Sequence, residues 1–310
     1  MTPLLDSLSL LVGSAIDAGT VLALASLGLS INERSGVVNL GAEGVMLVAA
    51  ISGFATAVVT GSTGLGLLSG ALAGASLAGL FGLLAVGLNT NQYATGLALS
   101  AFGSGFSAFV GVRFSEARLA PPSPFQLPWL ADVPWIGPAL FRHHPLVYFA
   151  ALLAAALGWF LYRTRAGLVL RAIGEAPEAA HALGYPVRRI RFLAVLFGGA
   201  CCGLAGAYTS IIYTPFWVEG MTAGRGWIAL ALTTFATWQP GRVLLGAYLF
   251  GGVTMLQLQL QSEGVNLPVQ LLTVLPYLAT ILVLVLLSRN PSWIRAHLPA
   301  SLGKPFFPGA

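Results

Sequence analysis

Charge is the scarcest commodity in this 310-residue chain: only 8% of residues are Asp, Glu, Lys or Arg, against about a quarter in a soluble protein. That shortage excludes an ordinary water-facing surface. Lysine is nearly absent, with Lys304 alone and followed by Pro305. A phosphate-binding loop needs Gly-Lys-Ser or Gly-Lys-Thr, so ATP hydrolysis by that route is excluded. Cysteine occurs twice, as the adjacent Cys201 and Cys202, a spacing that suits neither a disulfide framework nor a metal site. No HExxH run occurs, and no Ser or Cys stands beside an evident base. We therefore expect no catalytic residues and no metal or cofactor bound by this chain.

Hydrophobic residues make up 56% of the sequence, and mean hydropathy is +0.83. Apolar runs near residues 8–30, 41–60, 65–88, 92–112, 145–162, 192–214, 226–239, 242–260 and 269–288 follow one another almost without pause. A helix of about 20 such residues crosses the hydrocarbon layer. The runs are continuous and lack the alternation of a membrane β-barrel. The expected fold class is all-α, a polytopic transmembrane helical bundle of about 8–10 spans over residues 1–290, with a tail over 291–310. The N-terminus lacks a basic leader region, so the first run is expected to stay as a membrane helix.

The formal charge of +5 is spread over loops and forms no basic face, so no nucleic-acid partner is expected. Six Arg against two Glu mark 163–191 as a cytoplasmic loop, and the Pro-rich 113–145 stretch becomes external. Counting from there places the tail in the cytoplasm and the N-terminus outside. The run at 226–239 is short for a crossing and precedes Gln239, Pro240 and Gly241, which predicts a broken or re-entrant helix beside a cavity. Gly70, Gly74, Ala78 and Gly82 recur at a spacing of four, which lets helices approach closely in lipid.

The cytoplasmic loop holds a short helix with readable ends. Pro177 suits a first helical position, Glu175 and Glu178 suit the positive dipole end, Gly184 can end the helix and Pro186 prevents continuation. At about two turns it is not stable alone, so it should lean on the membrane domain or on a partner.

Glu178, Ala179 and Ala180, three residues and then Gly184 resemble the EAA loop of bacterial ATP-binding-cassette importer permeases. INERSGVVNLGAEGVMLVAA at 31–50, NTNQYATGLAL at 89–99, RGWIALALTTFATWQPGRVLLGAYLFGG at 225–252 and PYLATILVLVLLSR at 276–289 tighten the match. Together they resemble the nucleoside and simple-sugar branch of the branched-chain amino acid permease superfamily, closest to the shorter permease of nucleoside importers. The resemblance implies a multi-pass protein of the bacterial inner membrane. It also implies a second homologous permease, an ATPase subunit that carries ATP and Mg, and an external substrate-binding lipoprotein. The implied ATPase-coupling residues are Glu175, Glu178, Ala179, Ala180, Gly184, Arg188 and Arg189.

Polar groups at membrane depth are costly and mark a solute path or a packed hydrogen bond. Asn39 and Glu43 interrupt an apolar stretch and could offer an amide and a carboxylate to a sugar or base. Equally, Glu43 could satisfy a helix start and Asn39 the preceding turn. Asn89, Asn91, Gln92 and Thr95 form a second polar cluster, able to donate and accept or to mark an interfacial loop. Trp227 suits base stacking or an aromatic belt. Asp17 is expected to hydrogen-bond within the bundle. An ion-coupled secondary transporter is the competing class, but it would need ionisable groups at the midplane, and only Asp17 and Glu43 qualify.

Overall fold

With no water to satisfy backbone amides, each apolar run must close its hydrogen bonds on itself, and helices follow. The computed structural model describes residues 3–121, 125–126, 133, 136–262, 274–275, 278–279, 281–282, 285 and 298–307. The long helices are α1 (Pro3–Arg34), α2 (Ala42–Thr60), α3 (Thr63–Gly82, continued by a π turn at Leu83–Gly87) and α4 (Gln92–Gly111). A short antiparallel pair follows, β1 (Phe125–Gln126) with β2 (Arg142–His143), flanking α5 (Ile136–Leu140). Then come α6 (Pro145–Arg163), α7 (Arg165–Glu175), α8 (Pro177–Ala182) and α9 (Val187–Tyr208, continued by a π turn at Thr209–Tyr213). The series ends with α10 (Arg225–Phe235) and α11 (Pro240–Ser262).

Among the described residues seven helices are long and apolar enough to cross a membrane, and each answers one of the predicted runs. The 226–239 run becomes α10, whose 11 residues rise about 16 Å, half of a crossing. Most of the 269–288 run lies outside the described residues. Two boundaries differ from expectation. α1 continues through Arg34 because Asn32, Glu33 and Arg34, polar enough to read as loop, are buried by neighbouring elements. α9 begins directly after Pro186, since nothing between Val187 and Phe192 breaks a helix.

Small residues hold the bundle together. A methyl group on Gly70 would meet Ala207, and the Ala49 carbonyl lies 3.1 Å from its position. Gly74 faces Gly199 and Gly203 in the same way, so α3 and α9 touch along the four-residue stripe. Without a hydrophobic drive between helices in lipid, this close backbone approach supplies the packing energy. α11 lies antiparallel to α1, with Gly19 against Ala247 and Tyr248 and Gly251 against Ala15.

The arginine-rich elements α7 and α8 share one end of the bundle with the end of α1 and residues 298–307: Ser301 N–H donates to the Gly174 carbonyl at 2.9 Å. β2 and α5 lie toward the start of α1, where Gly13 meets Pro138 and His143.

Candidate solute path and coupling surface

Between α1 and α2 the chain does not stay at the bundle's end. Gly36, at φ +91°, turns it back inward, a left-handed conformation that glycine adopts without strain. The returning strand is held by Gln92, whose Oε1 accepts from Val38 N–H at 2.9 Å, and by Asn39, whose Oδ1 accepts from Gly41 N–H at 2.9 Å. α2 therefore starts deep in the bundle: Gly44 is seated against Leu99 and Ser100, midway along α4.

At that depth Glu43 meets a second helix start. Its Oε1 accepts from Thr222 Oγ1 at 2.5 Å and from Gly224 N–H at 2.9 Å, and its Oε2 accepts from Gly226 N–H at 2.7 Å. These donors belong to the turn before α10 and to its first turn, where the amides lack partners within the helix and the dipole is positive. A carboxylate from α2 thus caps α10, and both its oxygens are occupied. Only glycine fits at 226, since a methyl group there would stand 2.5 Å from Glu43 N.

The other end of α10 is held by α1. Glu33 Oε2 accepts from Thr233 Oγ1 at 3.0 Å and from Trp238 Nε1. Arg34 Nη2 donates to the Thr237 carbonyl at 3.3 Å, and Ser26 Oγ donates to the Ala229 carbonyl at 3.1 Å. Thr237 and Trp238 sit at φ +50° and +54°, a region that β-branched and bulky residues occupy only under constraint. Trp238 is fully buried. The half-helix is clamped at both ends, by Glu43 and by Glu33.

The remaining polar candidates form the entrance to α4. Asn91 Oδ1 caps it by accepting from Ala94 N–H at 3.1 Å, and the hydroxyls of Thr90 and Thr95 share a hydrogen bond of 2.8 Å. Asn89 occupies the left-handed region at φ +55°, where asparagine is better tolerated than most residues. Trp227 is exposed on the first turn of α10.

α8 presents two faces. Pro177 and Ala180 are buried, and Ala180 packs with Ile173, Val187 and Phe306. Glu178, Ala179 and His181 are exposed, as are Leu183, Tyr185, Arg188 and Arg189 beyond the helix. Gly184 ends α8 at φ +88° with open space where a side chain would stand. Residues 298–307 brace this element. His181 meets the Phe306 ring edge-on at 5.6 Å between centroids, and Glu175 Oε2 accepts from Ala300 N–H at 3.3 Å. Arg191 donates to the Ser35 carbonyl at 3.0 Å, to Ser301 Oγ at 2.9 Å and to the Lys304 carbonyl at 3.2 Å. Gly303 N–H reaches the Gly36 carbonyl at 3.1 Å. A continuous set of contacts therefore runs from α8, through the tail, to the inward-turning loop that leads to Glu43.

Residues 12–287 match the family described as branched-chain amino acid transport system, permease component. The chain belongs to this permease family. It is 40% identical to TsgC13 of Haloferax volcanii, named for a glucose ABC transporter permease, over 94% of this chain and 95% of that one. It is 34% identical to the nucleoside ABC transporter permease NupC of Lactococcus lactis, over 91% and 93%. A solved inward-facing transporter of metal-chelate type, 20% identical, shares the fold at a TM-score of 0.51 over 86% of this chain and 81% of that one. The chain is a multi-pass membrane permease of the ATP-binding-cassette class.

Within this permease, Asn39, Glu43 and Gln92 come together around one loop, and Trp227 lies on the helix that Glu43 caps. Asn89, Asn91 and Thr95 are placed separately, at the start of α4. The residues expected to couple to an ATPase gather around α8, with Glu175 turned toward the tail. Sequence reasoning missed Glu33, Thr222, Trp238, Arg191 and Ser301. Glu33 lies within a quoted polar run, but its partner Trp238 is 205 positions away, and no spacing rule joins them.

Proposed function

We propose that this permease forms, with a second homologous permease, the membrane path of an importer for a hydroxyl-rich solute of the nucleoside or sugar class. A separate ATPase subunit carrying ATP and Mg drives it, an external binding lipoprotein delivers solute, and the complex sits in the cytoplasmic membrane of a prokaryote. The nucleoside and glucose names of its relatives support the solute class, because both solutes present a polyol ring.

The observation that carries the energetic half is α8. Its buried face is anchored to Ile173, Val187 and Phe306, while Glu178, Ala179, Leu183 and Tyr185 face outward. A helix this short needs support, and here the support doubles as linkage. Motion imposed on α8 by an ATPase would pass through the tail and Arg191 to the Ser35 carbonyl, and from there to the loop before Glu43. Glu43 then acts on solute indirectly, by holding α10 in place. Reconstitution with the partner subunits, assayed for ATP-dependent uptake of a panel of nucleosides and hexoses, tests the reading. Uptake of none of them would refute the solute class.

A further inference from the structure

Toward the opposite end of the bundle from α8 stands a polar constellation that the clamp on α10 does not use. Asp17 lies nine residues into the α1 span that starts at Leu8, about 14 Å along the helix. Its side chain is 39% exposed. Oδ1 is 2.9 Å from His143 Nδ1 and accepts from the Tyr208 hydroxyl at 3.4 Å. Among the described residues Oδ2 makes no hydrogen bond. Tyr213 and Tyr248 are both half-buried; the Tyr248 ring lies against Gly19, two residues beyond Asp17, and Tyr213 ends the π turn that follows Tyr208. The Arg225 guanidinium lies 5.0 Å from the Tyr213 ring centre.

Two features separate this group from ordinary helix packing. A carboxyl group exposed at this depth is costly against hydrocarbon, so it belongs on a watered path or against another polar surface. The second is the π turn at Thr209–Tyr213. Residues five apart diverge by about 140° on an α-helix, whereas a turn of i→i+5 hydrogen bonds brings them toward one side. Tyr208 and Tyr213 thereby join Asp17.

The geometry points to Asp17, Tyr213 and Tyr248 as a solute-contact site in the outer half of the path, taking the neighbouring hydroxyls of a ribose or hexose ring. This rests on the proposal above that the chain lines a path for such a solute. The free carboxylate oxygen accepts from hydroxyls, tyrosine hydroxyls both donate and accept, and the Tyr248 ring offers an apolar face to the C–H side of a sugar. Specificity for polyols over apolar solutes follows, because a solute without hydroxyls would leave Oδ2 of Asp17 without a partner.

The test uses the reconstituted complex and whichever solute of the nucleoside and hexose panel the wild type imports. Asp17→Asn keeps the shape of the side chain and an oxygen for His143, but removes the charge. It is expected to raise KM about tenfold, with assembled complex recovered in wild-type amount, and Tyr248→Phe to raise it several-fold. Because Cys201 and Cys202 are buried, Asp17→Cys gives this chain a single accessible thiol, read on its separated band after treatment with a water-soluble thiol reagent, and solute is expected to slow its labelling. An unchanged KM in both variants overturns the proposal. So does a loss of assembled complex with KM unchanged, which would mark a contact with the second permease, or labelling that solute does not affect. A wild-type complex that imports no member of the panel removes the parent reading as well.

Discussion

Glu43 at the start of α2 and Gly226 in the first turn of α10 are joined by a hydrogen bond of 2.7 Å from the glycine amide to Oε2. Two helices that both begin inside the bundle are thereby locked through one carboxylate. The arrangement satisfies amides that α10 could not satisfy itself. It also places an anion where the helix dipole favours one.

Glu43→Ala would strand the Thr222 hydroxyl and the Gly224 and Gly226 amides, at roughly 1–3 kcal/mol for each unsatisfied buried donor. We expect a lower unfolding temperature in detergent and a parallel fall in uptake, with KM unchanged. Glu43→Gln, which keeps an acceptor, should lose less. A raised KM at full stability would instead assign Glu43 to direct solute contact.

Gly103 faces the backbone of Gly44 so closely that a Cβ would overlap it, whereas Gly105 has open space. Gly103→Ala should force α4 away from α2 and destabilise by about 1–3 kcal/mol. Gly105→Ala, on the same helix, should stay within about 0.5 kcal/mol of wild type. Thermal unfolding of the two variants side by side checks this, and equal effects would argue against the packed seam.

Arg191→Ala removes three hydrogen bonds that tie the tail and the inward loop together. Association with the ATPase should persist, because α8 keeps its outward face, while solute imported per ATP hydrolysed should fall several-fold. An unchanged ratio would mean that the tail transmits nothing.

Much of this was legible beforehand, and for identifiable reasons. Continuous apolar runs have one solution in lipid, so the seven long helices could be read directly. α8 was readable because both of its signals are local, Pro177 at its first position and Gly184 at φ +88° just past its end. The brevity of the 226–239 run likewise exposed the half-helix. The clamp on α10 was hidden because it is made of distant pairs: Glu43 with Gly226 is separated by 183 positions and Glu33 with Thr233 by 200. Neither pair leaves a periodic trace. The same blindness placed the end of α1 too early, since the cover over Asn32, Glu33 and Arg34 comes from α9, α10 and the turn after α10.

The most direct measurement is solute uptake into proteoliposomes carrying the complete complex, comparing wild type with a variant combining Glu178→Arg and Ala179→Arg. Both side chains are exposed on α8, so the permease should still fold. The account predicts that wild-type uptake needs ATP and the ATPase subunit, and that the variant loses ATP-driven uptake together with co-purification of the ATPase. Unimpaired uptake in the variant, or uptake by the permease alone along an ion gradient, would contradict it.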